Sequence, residues 1–191
     1  MKTNQTTSVD PRRGWLEQVV DRFEGSLLRY AVGIVRDHAL AQDAVQEAFV
    51  ALASQWHRGQ APAPGDHLRN WLYKVTYNKA VSILRAEQAR ARAHEGFARE
   101  AAVEGAGAGG GDSEISREAK LQALAESLDA LIPSRRRVLL LRLQQGLSHA
   151  SIAEITGYSV PHCRKLLHEA VKILNAEIAK RLHSQEDMRH E

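Results

Sequence analysis

The sequence predicts an all-α protein of two small helical domains joined by a flexible linker. Three observations carry this. Apolar residues recur at the three-to-four spacing of helices in nearly every segment, and strand-like alternation is weak. A glycine- and alanine-rich stretch, with GAGAGGG at 105–111, separates two such regions. Residues 133–178 then read as a basic helix, a short helix, a glycine turn and a last helix rich in cations, a helix-turn-helix pattern.

The elements follow in order. Residues 1–13 are polar and are expected to be irregular. From Leu16, Val19, Val20, Phe23, Leu27, Tyr30, Ala31 and Ile34 mark one face of a first helix. Asp37 and His38 interrupt it. Leu40, Ala44, Val45, Ala48, Phe49, Leu52 and Trp56 mark a second. The segment RGQAPAPGD (58–66) is a loop by its prolines and glycines, and Asp66 is expected to cap the next helix. That third helix runs from about His67 into the low nineties. Leu68, Leu72 and Val75 are expected on one face, with Asn70, Tyr73, Lys74 and Tyr77 roughly opposite.

The second half opens near Ser116 with Leu121, Leu124, Leu128 and Leu131 as an apolar stripe, which Pro133 breaks. Ser134–Gln145 should be helical, stopped at Gly146. Ser148 should cap HASIAEIT, Gly157 should take the turn, and Ser159 should cap the last helix with Pro161 in its first turn. Ile152, Ile155, Val160, Leu166 and Leu167 can fill a miniature core, with small Ala153 permitting close approach. The expected boundaries are therefore 14–94 for one domain, 95–115 for the linker and 116–183 for the other.

Bulk composition narrows the class. With 43% hydrophobic and 26% charged residues in 191, the composition suits a globular protein and argues against wholesale disorder. A single cysteine, Cys163, excludes an internal disulfide and a cysteine-based metal cluster, and suits a cytoplasmic setting. No signal core opens the chain, and no run approaches the roughly 20 apolar residues of a membrane span, so no membrane insertion is expected. The formal net charge of +3 hides an uneven distribution. Residues 67–99 carry net +5 and residues 133–183 net +6, two basic stretches suited to a polyanion or, alternatively, two solvated helix faces.

The candidate chemistry is recognition. On the last helix, His162, Arg164, Lys165 and His168 point outward, where they could meet base edges and phosphates. On the third, Tyr73 and Tyr77 lie among Arg69, Lys74 and Asn78, and rings beside cations suit single-stranded nucleic acid. Trp71 reads as core. The second helix offers Asp43, Gln46 and Glu47 away from its apolar stripe, a solvated or partner-binding face. No nucleophile–base pair or metal-ligand spacing accompanies them, so no catalysis, metal or cofactor is expected. The glycine-rich stretch lacks the Lys-Ser/Thr ending of a phosphate loop.

From about Leu16 to Leu182, the chain resembles the extracytoplasmic-function (ECF) class of bacterial RNA polymerase sigma factors. DAVQEAFVAL (43–52) is similar to the polymerase-binding helix of sigma region two, LRNWLYKVTYNKAVSIL (68–84) to its promoter-melting helix, and LIPSRRRVLLLRLQQGLSHASIAEITGYS (131–159) to sigma region four. The resemblance implies a helical region two, a linker and a helix-turn-helix region four. It implies that Asp43, Gln46, Glu47 and Phe49 dock on core polymerase. It further implies that loop 58–66, Arg69, Tyr73, Lys74, Tyr77 and Asn78 open and hold the −10 element, and that His162, Arg164, Lys165 and His168 read the −35 element. Promoter DNA, core polymerase and an anti-sigma factor are the implied partners. The chain departs from the family pattern at several positions. Leu166, Glu169 and Val171 stand where cations are usual, Lys79 where an aliphatic is usual, Ser82 where an acid is usual, and no acid precedes Ile152. Two other readings stay open: a sigma-like decoy that switches partners with an anti-sigma factor, and a stand-alone helix-turn-helix regulator.

Overall fold

The structure, a computed structural model, describes residues 11–95, 127–128 and 130–187. The expected linker, together with Leu121 and Leu124, lies outside the described residues. Six helices occur among the described residues, and no strand. The chain divides into two compact units between Arg85 and Ala86.

The first unit holds α1 (Pro11–Val35), α2 (His38–His57) and most of α3 (Asp66–Glu95), whose last residues run past the division at Arg85. Helix α1 starts five residues ahead of Leu16, on a proline whose missing amide hydrogen costs little in a first turn. It ends at Arg36, a non-glycine residue at φ +60°. Asp37 then starts α2, its carboxylate accepting from the Leu40 amide at 2.9 Å. Val19, Phe23, Leu27, Tyr30, Ala31 and Val35 form the buried stripe of α1, and Ala41, Ala44, Val45, Ala48 and Leu52 that of α2. Three alanines among the five residues from α2 present little bulk, which favours close helix contact. The Trp15 and Trp56 rings stack at 4.1 Å and 17°, fixing the start of α1 beside the end of α2 as an antiparallel hairpin.

Helix α3 joins through Tyr73, which meets Tyr30 edge-on at 5.3 Å and 81°. Its buried stripe is Leu68, Leu72, Tyr73, Thr76 and Ala80, with Asn70 also buried. The expected face is thus rotated: Asn70 and Tyr73 turn inward, and Val75 is only half-buried. The Tyr30 contact gives the physical reason, since an aromatic pair stabilises the packing beyond the area each ring buries. Asp66 lies within the first turn of α3, not ahead of it, and pairs with Arg69 at 3.2 Å. A carboxylate there still complements the positive end of the helix.

The second unit contains α4 (Pro133–Leu143), α5 (His149–Thr156) and α6 (Val160–Asp187). Leu131, Leu139, Ala170 and Leu174 form a core against which Leu128, Leu167, Ile173 and Ile178 pack. Ile152, Ile155, Cys163 and Leu166 are buried as well. The turn chemistry follows the sequence. Gly146 takes φ +62° and its amide bonds Arg142 carbonyl at 3.1 Å. Ser148 Oγ accepts from the Ser151 amide at 3.1 Å. Gly157 ends α5 at φ +77°, its amide on the Ala153 carbonyl at 2.8 Å. Ser159 Oγ accepts from the His162 amide at 3.3 Å.

Candidate nucleic-acid and polymerase interfaces

On α2, Asp43, Gln46 and Glu47 are exposed together, and Val50 completes their face. Positions 43, 46, 47 and 50 are the i, i+3, i+4 and i+7 of one stripe. Val50 is 66% exposed and was missed in the sequence, although its spacing from Asp43 places it there. The face thus sets one apolar side chain beside two carboxylates and an amide. Phe49 is half-buried and sits off this face, so the four expected docking residues do not form one surface. Glu47 is also engaged within the molecule: its Oε2 lies 2.8 Å from Lys79 Nζ of α3.

On α3, Lys74, Tyr77 and Asn78 share an outer face, and Arg85 extends it at i+7 from Asn78. Sequence reading missed Arg85, which the same spacing could have found. Tyr73 is a correction. At 2% exposure it is core, and its ring is not offered to a base. Burial pushes its phenol pKa up, against a hydrogen bond with Ser26 and the charges of Arg29 and Arg69. Arg69 is partly covered and held by Asp66, away from the Lys74 face. Trp71, expected in the core, is half-buried. Beside the loop following α2, a cavity of about 420 Å³ is lined by Trp56, His57, Gly59 and Ala61. The His57 Nδ1–H donates to the Ala53 carbonyl at 2.6 Å, which orients the imidazole at this rim.

On α6, His162, Arg164, Lys165 and His168 are all exposed, as expected. Lys172, four residues beyond His168, is exposed on the same side and was missed. The Tyr158 ring meets the His162 imidazole edge-on at 5.1 Å. Two of the three departures of this helix, Leu166 and Glu169, have structural reasons. Leu166 is buried at 6% exposure, so its side chain packs the core where a cation would have faced out. Glu169 accepts two hydrogen bonds from Arg135, at 2.7 and 3.0 Å. Val171 remains 38% exposed, and nothing in the structure explains it.

The arginines of α4 change the charge picture. Arg136 donates to the Leu128 carbonyl, Arg137 to that of Ile155 and Arg142 to that of Leu147, at 2.8–2.9 Å. Arg137 is buried at 7% exposure, and Arg135 is bound to Glu169. These four cations brace the helices. With Arg137 buried and Arg135 paired with Glu169, the sequence count of net +6 overstates the charge offered outward, although Arg142 stays exposed. Among the described residues, no group of three or more His, Cys, Asp or Glu could hold a metal ion, and no helix is long and apolar enough to cross a membrane.

A helical unit with an exposed acidic stripe and a mixed aromatic–cationic helix, followed by a capped helix-turn-helix, is the arrangement of a nucleic-acid-binding protein with a second, partner-facing surface. Residues 19–90 match the family described as Sigma-70 region 2, and residues 121–174 match Sigma-70, region 4. The chain belongs to the sigma-70 family of RNA polymerase sigma factors, in its ECF class. It is 25% identical over 180 residues to the RNA polymerase sigma factor SigV of Bacillus subtilis, covering 94% of this chain and 98% of that protein. It is 31% identical over 157 residues to the probable ECF RNA polymerase sigma factor SigI of Mycobacterium tuberculosis. That match covers 78% of this chain and 50% of the relative, so the chain spans only half of that protein's length. The fold is shared with the sigma factor RpoE of Bartonella quintana, solved with the anti-sigma factor NepR. That similarity has a TM-score of 0.63 and 21% identity, over 85% of this chain and 96% of that one.

Proposed function

We propose that this protein binds core RNA polymerase and directs it to a subset of promoters, under the control of an anti-sigma factor. The observation that carries the reading is the outward face of α6. Its capped helix-turn-helix leaves His162, Arg164, Lys165 and His168 exposed together, while the neighbouring arginines are spent on bracing α4. In this reading α6 enters the major groove at the −35 element, where base edges are distinguishable.

The first unit does the other half of the work. Asp43, Gln46, Glu47 and Val50 dock on polymerase, with half-buried Phe49 shaping the flank. Lys74, Tyr77, Asn78 and Arg85 hold the displaced strand of the −10 element, the Tyr77 ring stacking on a base and the cations following the backbone. Arg69 supports that face from its side through Asp66. The cavity at Trp56 and His57 is suited to a base turned out of the stack, which costs about a few kcal/mol and must be offset by contacts. The chain performs no catalysis of its own, needs no cofactor, and acts in the cytoplasm. The complex of the Bartonella sigma factor with NepR supports an anti-sigma partner here.

Run-off transcription tests this, with purified core polymerase and a pool of the host's promoter fragments, with and without the protein. Defined new start sites are expected, and aligning them yields the motif. Tight binding to core or to an anti-sigma protein with no start sites would overturn the reading in favour of a decoy. Sequence-specific DNA binding that survives removal of residues 16–95 would instead favour a stand-alone regulator.

A further inference from the structure

Glu169 is the one acid between Val160 and Ala176, in a helix otherwise turned outward with cations and histidines. An acid beside a polyanion weakens binding, so its place calls for a reason. Its contacts supply one. Oε2 accepts from Arg135 Nε at 3.0 Å and from Arg135 Nη2 at 2.7 Å, joining α6 to α4. Oε1 lies 4.0 Å from Lys165 Nζ, one turn earlier on α6. Arg135 and Glu169 are 26% and 30% exposed, while Lys165 is 73% exposed. One end of the arrangement is therefore held in the fold and the other reaches into solvent. The Arg135 hydrogen bonds hold the Glu169 carboxyl below its usual range, against some burial and with help from the charges of Arg135, Lys165 and His162.

We propose that Glu169 is a positioning residue that sets the promoter discrimination of the recognition helix. Through Arg135 it fixes the rotation of α6 against α4. Its other oxygen stands at the outer limit of ion-pair distance from Lys165 and biases this exposed cation away from indiscriminate phosphate contact. The charge of Glu169 also offsets that of Arg135, so that the pair adds no net attraction for phosphate on that flank. Non-specific binding is driven by phosphate neutralisation, whereas specificity depends on the orientation of side chains toward base edges. Specificity is a difference of affinities, and suppressing the wrong complex raises it as surely as improving the right one. The inference rests on the reading that α6 faces DNA.

The test uses holoenzyme reconstituted from core polymerase and the full chain. Its affinity is titrated against salt on a promoter mapped by run-off transcription and on a random duplex of equal length. Glu169→Gln is expected to tighten random-duplex binding and to steepen its salt dependence by up to about 0.9 per cation released. The promoter-to-random ratio should fall at least about fivefold, the discrimination of one weakly read base pair. Arg135→Gln removes the tie but keeps the carboxylate, so the ratio should fall while the salt dependence flattens. An unchanged ratio in both variants overturns the proposal. So does a parallel loss of both affinities at unchanged slope, which a purely structural tie would produce. Arg164→Ala with Lys165→Ala is run alongside. If that pair leaves promoter affinity intact, the reading of α6 fails. If it weakens binding while both tie variants keep the ratio, only the role given to Glu169 fails.

Discussion

Glu47 and Lys79 form an ion pair between α2 and α3, with Oε2 to Nζ at 2.8 Å and side-chain exposures of 52% and 40%. The pair links α2, which carries the face proposed to dock on polymerase, to α3, which carries the face proposed to hold the displaced strand. Lys79 departs from the family pattern, and here its ammonium has a use inside the molecule. Exposed pairs of this kind contribute about 0–1 kcal/mol, so the link steers side chains more than it stabilises the fold.

That geometry separates the acids of α2 by role. Asp43→Arg should abolish core polymerase binding without lowering stability, because Asp43 is exposed. Glu47→Gln should cost about 1 kcal/mol or less in a denaturant melt. Val50→Asp should also leave the melt unchanged, since Val50 is 66% exposed. It should weaken core binding at least about tenfold if the valine is buried on docking, given roughly 1.5 kcal/mol or more for burying a side chain of its size. Pull-down of core polymerase beside the melts checks all three.

Tyr73 belongs to the core, whereas Tyr77 is half-buried beside exposed Lys74 and Asn78. Tyr73→Ala should cost about 3–5 kcal/mol, as for other large aromatic truncations in cores. Tyr77→Ala should reduce promoter opening with little loss of stability, which permanganate footprinting of the −10 region would report. The raised pKa of Tyr73 adds a pH signature. Its folded value lies above its unfolded one. The corresponding stability is therefore fully present below pH 10, its ordinary value, and is lost as pH rises toward the folded value. Tyr73→Phe should remove that alkaline dependence, and melts at pH 9 and above would show it.

Arg164→Ala with Lys165→Ala should weaken promoter binding and reduce the slope of log affinity against log salt by up to about 1.8, or 0.9 for each lost phosphate contact. An unchanged slope would mean that α6 presents a different face to DNA. His162→Ala should act mainly on sequence preference if the imidazole, held edge-on to Tyr158, reads a base.

Gly157→Ala should destabilise the second unit by about 1–2 kcal/mol. The cost comes from φ +77° alone, because a Cβ at this position would meet nothing within 4 Å. Thermal melts of the variant check this. A larger loss would mean that the turn between α5 and α6 cannot relax at all.

Much of this was legible in the chain. The helices follow from apolar spacing, and Ser148, Ser159, Gly146 and Gly157 announced the turns because each has a local reason to be there. Local chemistry acts over one helical turn, and a sequence displays that distance directly. Asp66 and Pro11 differ from expectation only by the fraying or extension of a first turn, where capping and helical positions compete closely. Val50, Arg85 and Lys172 could have been found by extending the same spacing by one turn.

Other assignments depended on contacts between distant residues. Tyr73 is core because Tyr30, 43 positions away, waits for its edge. Arg135 is bound because Glu169 stands 34 residues later. Arg135 and Arg137 look like part of a nucleic-acid footprint until Glu169 and the Ile155 carbonyl come into view. Sequence by itself determined the helical class, the turn residues and the family, since those are set by short-range spacing and motif order. Only the tertiary structure decided which cations face outward and which brace the fold. A guanidinium takes whichever acceptor folding brings within reach, and that partner is invisible from its neighbours along the chain.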